Sequence, residues 1–143
     1  MATSGLNIGE FTEGQDNPDT TINNALNILD GACVVPLVHD VGVESPVDAD
    51  YTLATTGDYP REYQHFIIQI TDTGTLLSAV SPAKSIIVPS SYTRAYLFIN
   101  STAQELTFKA TTGTGIIVAA TRWALLYYDG SNMTRLTSDA TIT

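Results

Sequence analysis

The chain has 143 residues and a mass of 15.3 kDa, with 43% hydrophobic and only 15% charged residues and a formal net charge of -9. That length fits one domain with a real core, and the composition, rich in threonine, excludes a disordered chain and favours strands. Eleven acids stand against Arg61 alone in residues 1–62, and four acids against five bases in residues 63–143, sums of -10 and +1; with no basic cluster and no apolar run of membrane length, nucleic-acid binding and membrane insertion are both excluded.

Residues 1–18 are mostly Gly, Asn, Asp, Thr and Glu and read as an extended arm closing in the turn sequence "DNPD". The arm lacks the basic and apolar segments of a secretory signal, so the expectation is synthesis in a cytosol and a soluble product. A short amphipathic helix is expected over 19–32, with Asp19 as its N-cap and Gly31 just past its last turn. Ile22, Leu26 and Leu29 fall at i, i+4 and i+7 and form one apolar stripe, while Asn23, Asn24 and Asn27 face away. Three Asn residues and so few turns leave this helix too weak to stand alone. The three apolar residues are therefore candidates for an assembly interface.

Cys33 is the single cysteine, which excludes an intrachain disulfide and a Cys-based zinc cage. Its setting, "GACVVPLV", is that of a small buried hydrophobe.

From residue 33 to 143 the period is two, and a β domain is expected. The candidate strands are "VVPLVHDV", "YTLATT", "HFIIQITD", "TLLSAV", "SIIVPS", "RAYLFINS", "ELTFKATT", "GIIVAAT", "RWALLYYD" and "MTRLT". Turn-formers such as "DTG", "SPAK", "TGTG" and "DGSN" separate them. The long polar span 41–62 is expected as an exposed loop. Short strands at this spacing imply a mainly β fold, an antiparallel sandwich or small barrel. Several strands are apolar on both faces: Trp123, Leu125 and Tyr127 alternate with Ala124, Leu126 and Tyr128, and Ala95, Leu97 and Ile99 with Tyr96 and Phe98. Such strands need a second cover, from another sheet, the helix or another subunit.

Catalytic patterns are missing. His39 and Asp40 are neighbours on a strand and point to opposite faces, so they form no dyad. "SPAK" matches a Ser-x-x-Lys pattern but lies between strands and lacks companion motifs; it reads as a turn. "TTGTGI" precedes a strand and has no phosphate-loop lysine. No metal-ligand spacing occurs, and no cofactor is expected. The sequons at Asn100 and Asn132 read as chance in a Thr-rich chain. Tyr59, Tyr63 and Tyr92, in loop-like sequence, are the aromatic candidates for stacking on a sugar.

The stretch "IIVPSSYTRAYLFINSTAQELTFKATTGTGIIVAATRWALLYYDGSNMTRL" resembles a β-module recurring in virion proteins of tailed bacteriophages, with the order of a meander. The segment "TINNALNILDGA" looks like the N-x-x-L-x-x-L-D segment near the start of some phage tail and fibre proteins. Together these cover a little under half of the chain. The resemblance implies a non-enzymatic structural protein on the virion surface, a homotrimer serving as capsid decoration, tail fibre or spike. Its arm and helix would bind capsid or tail proteins. The alternative it leaves is a host-attachment module that recognises surface glycan through Tyr59, Tyr63 and Tyr92.

Overall fold

The computed structural model describes residues 35–44, 49–57, 61–73, 84–90 and 93–142, together with Leu26 and Leu29. The expected arm, Ile22, Cys33, the strand "TLLSAV", the first three residues of "SPAK", Tyr59 and Tyr92 all lie outside the described residues. So does most of the expected helix; Leu26 and Leu29 have helical backbone.

Ten strands follow in order: β1 Leu37–Asp40, β2 Tyr51–Thr52, β3 Ile67–Thr71, β4 Ser85–Val88, β5 Arg94–Asn100, β6 Leu106–Ala110, β7 Ile116–Val118, β8 Arg122–Tyr128, β9 Met133–Arg135 and β10 Ala140–Thr141. The mainly β expectation holds. Neither sheet closes into a barrel: one runs β1-β3-β5-β8-β10 with β9 also on β8, and the other β2-β4-β6-β7. We call them sheets A and B.

The sheets are mixed rather than antiparallel. From β1 to β6 the chain alternates between sheets, and each return lays the new strand parallel to its predecessor: β1, β3 and β5 in sheet A, β2, β4 and β6 in sheet B. The first six strands therefore form three stacked rungs of a coil. Then β7 reverses on β6, and β8 reverses on β5 and receives β9 and β10. The expected meander is thus reduced to the β6–β7 hairpin and the β8–β9–β10 edge. At the turn after β6, Gly113 has φ +100°, and a Cβ there would lie 2.1 Å from the Ser131 carbonyl oxygen. Only glycine fits.

Period-two alternation settles the faces. Ile68 and Ile70 of β3, Tyr96 and Phe98 of β5, and Ala124, Leu126 and Tyr128 of β8 point inward and are buried. Opposite them are Ile86 and Val88 of β4, Leu106, Phe108 and Ala110 of β6, and Val118 of β7. Phe98 stacks on Phe108 at 4.3 Å between ring centroids, and Tyr96 meets Phe108 edge-on at 5.4 Å. Aromatic pairs in these geometries add about 1 kcal/mol beyond area burial.

The span 41–62 is not simply the exposed loop expected: besides β2, which lies in the expected strand "YTLATT", it buries Val41, Gly42 and Leu53. Asn100, whose sequon reads as chance, is fully buried at the end of β5. Its amide nitrogen donates to the carbonyls of Gln104, Val118 and Ala119 at 2.8, 3.0 and 3.1 Å, and its oxygen accepts from the Thr102 amide and hydroxyl. These bonds tie the β5–β6 and β7–β8 connections to one side chain where the strands end and backbone groups lose their sheet partners.

Candidate interaction surface

The inward residues of sheet A leave a second set facing outward. These are Val38 and Asp40 on β1, Ile67, Gln69 and Thr71 on β3, and Ala95, Leu97 and Ile99 on β5. Trp123, Leu125 and Tyr127 on β8, Thr134 on β9 and Ala140 on β10 complete the set. Register sets them in rows. Ile67, Leu97 and Leu125 lie side by side across three strands; Gln69, Ile99, Trp123 and Ala140 form the next row. Leu136 donates its amide to the Leu125 carbonyl at 2.8 Å, extending the apolar area beyond β9.

Apart from Asp40 at one end, this face carries no charge. Val38 is 56%, Leu136 53% and Tyr127 39% exposed, Thr134 is exposed as well, and the outward residues of β3 and the others of β5 and β8 are half-buried. The face spans about 20 Å, four strand spacings. The outer side of sheet B differs: Thr52, Ile87, Thr107, Lys109 and Ile117 mix polar and apolar groups, and Lys109 is paired with Asp50 at 3.3 Å. Solvated sheet faces ordinarily alternate polar side chains with the buried set, and extended apolar patches mark interaction sites. Sheet A has the second kind of face.

The first rung has a polar interior. His39 and Tyr51 point inward from opposite sheets and stack at 3.7 Å with 19° between ring planes. His39 Nε2 lies 2.6 Å from Glu44 Oε1, and the other Glu44 oxygen accepts from Lys84, whose side chain is 1% exposed. Lys84 Nζ also donates to the Ala49 carbonyl at 2.5 Å. The Tyr51 hydroxyl donates to the Glu62 carboxylate, which accepts from the Ala54 amide as well. Burial first, and then the Glu62 hydrogen bond and the charges of Glu62 and Glu44, hold the Tyr51 hydroxyl well above the usual phenol range. Tyr51 thus stays a proton donor to Glu62 at physiological pH.

This cluster couples the acidic first part of the chain to the basic second part. Glu44 meets Lys84, and Asp50 meets Lys109 and the Ser85 amide. Each ionised group has its counter-charge or hydrogen-bond donors, the arrangement expected of a structural plug at the end of a core. The cluster was not apparent in sequence, because its bonded partners are up to 59 residues apart and only the coil brings them together. Among the described residues no group of three His, Cys, Asp or Glu side chains is placed to hold a metal ion.

The sequence-derived candidates divide three ways. Leu26 and Leu29 are 58% and 42% exposed, so neither is covered within a single chain. Tyr63 is fully buried, with its carbonyl accepting from Arg94, and presents no face to a sugar. That removes it from the glycan set. Ile22, Tyr59 and Tyr92 lie outside the described residues. His39 turns inward to Glu44, while Asp40 turns outward and caps the 3-10 turn Val41–Val43 through the Gly42 amide, so the two share no function. His65 is buried and joins the Val35 carbonyl at 2.8 Å, anchoring the chain before β1. No family model, no curated protein and no solved structure matches this chain.

Proposed function

We propose that this chain is a non-enzymatic structural protein of a tailed-phage particle, acting as a homo-oligomer, expected to be a trimer, on the capsid or tail surface. The observation that carries the assembly part is the outer face of sheet A, apolar and nearly free of charge in a chain of net charge -9. A soluble protein with that much charge to distribute gains from keeping one face free of it only where the face is covered. The particle assignment is supported by the resemblance of the two quoted segments to virion proteins, and the polar cluster of the first rung fits a structural role.

Sedimentation equilibrium of the full chain tests the oligomer. A trimer mass at micromolar concentration is the expected result, and a monomer up to about 100 µM, where only millimolar-range affinities would escape detection, would overturn it. Peptides of this chain in purified virions test the particle assignment.

A further inference from the structure

The chain holds two uncovered apolar elements of matching shape. One is the stripe of the expected helix 19–32, whose described members Leu26 and Leu29 are exposed. The other is the outer face of sheet A. From Ile22 to Leu29 the stripe would run about 10 Å along a helix axis. Two strand spacings are also about 10 Å. Three stripe residues can therefore cross the row Ile67, Leu97 and Leu125, one residue to each strand. Neither the stripe nor the row it would cross contains a charge: Asp19 and Asp30 stand near the two ends of the expected helix, and Asp40 stands at the sheet's far end.

We propose that the helix of one copy seats its Ile22, Leu26 and Leu29 stripe on the outer face of sheet A of a second copy. The idea rests on the self-association just proposed and names the contact that makes it. Within a single chain the described stripe residues Leu26 and Leu29 remain exposed, with their backbone already helical. The eight steps from Leu29 to Leu37 reach at most about 28 Å when extended, enough to cross the width of the sheet to a neighbour. Exchange of this kind is reciprocal: every copy gives one helix and receives one, so rotational symmetry can close the assembly.

Two full-length variants test the seating. Leu26→Asp charges the stripe; Tyr127→Asp with Leu136→Asp charges the face at positions exposed enough to leave the β domain folded, which circular dichroism and melting verify. Each alone is expected to weaken self-association by roughly 100-fold. An equimolar mixture is expected to regain association, because an intact helix then meets an intact face. As a second readout, Leu29→Cys in one chain and Thr134→Cys in another, both with Cys33→Ser, should form a disulfide-linked heterodimer under mild oxidation.

A wild-type oligomer whose face variant associates normally would overturn the seating alone and point to a helix cluster. A disulfide that forms only when both cysteines are in one chain, giving a monomer, would overturn it in favour of the chain's own face. Monomeric wild type would remove the self-association reading itself.

Discussion

Asn100 shows how much of this fold depends on one polar side chain. Its five hydrogen bonds join the end of β5 to the residues around 102–104 and to the end of β7. Asn100→Ala takes the side-chain donor from the Val118 and Ala119 carbonyls and the acceptor from the Thr102 amide, while the Gln104 carbonyl keeps the Thr102 hydroxyl, and should cost about 3 kcal/mol or more in chemical unfolding. Asn100→Asp is expected to be worse near neutral pH, because a carboxylate would face three carbonyl oxygens without a proton to give. If the Asp variant proves as stable as the Ala variant, those carbonyls do not depend on this side chain. Asp129 is a second residue of this kind, on the surface. Its carboxylate accepts from the Asn132 and Ser131 amides in the turn between β8 and β9. Those bonds, that of Asn132 first, hold its carboxyl below the ordinary value of 3.8. A depressed folded-state value means stabilisation that is fully present above the unfolded value and lost as pH falls from there through the folded one. The melting temperature should therefore drop as pH falls from about 5 to about 3, and Asp129→Asn should drop less steeply over that interval. Parallel pH profiles of the two proteins would show that Asp129 has no part in the acid transition.

At the scale of elements, Lys84 at the start of β4 holds both the Glu44 carboxylate and the Ala49 carbonyl against the coil. Lys84 is almost wholly buried, so Glu44→Gln weakens the charge compensation of its ammonium and should destabilise by about 3 kcal/mol. The double variant Glu44→Gln with Lys84→Met removes both charges and should recover a large part of that loss. A double-mutant cycle with no coupling would show that the pair contributes nothing jointly. These elements also divide what was legible from what was not. Nine of the ten expected strands coincide with described ones, because alternation such as "RAYLFIN" and "RWALLYY" is a local signal. Pairing is not local. Nothing in "LVHD", "IIQIT" and "RAYLFIN" says that the three lie parallel, because that follows from where each connection crosses to the other sheet. Only the first two residues of the expected "YTLATT" form β2, and Leu53 is buried because the coil returns there. The two-sided apolar strands were legible, and so was their need for a second cover. Tyr63 misled because its flanks, "PRE" and "QH", look like a loop while a 3-10 turn over Glu62–Gln64 drives its ring inward.

For the whole molecule, the distribution of charge separates two ways of assembling. Each copy carries -9, so copies repel at low ionic strength, and the repulsion extends about a Debye length. Apart from Asp40 at its end, the outer face of sheet A adds no charge to that repulsion and nothing ionic to the attraction. If copies meet through this face, raising salt from about 50 mM to about 500 mM screens the repulsion between their acidic surfaces and leaves the apolar contact intact. Self-association should hold or tighten. The heat capacity change on association should also be negative, the mark of buried apolar area. An assembly held instead by Asp and Glu of residues 1–62 against the bases of a neighbour would respond the other way, because salt screens the attraction itself. Dissociation constants from sedimentation equilibrium at the two salt concentrations decide between them. A tenfold or greater loss of affinity at high salt, about 1.4 kcal/mol, would move the interface from sheet A to the acidic surface.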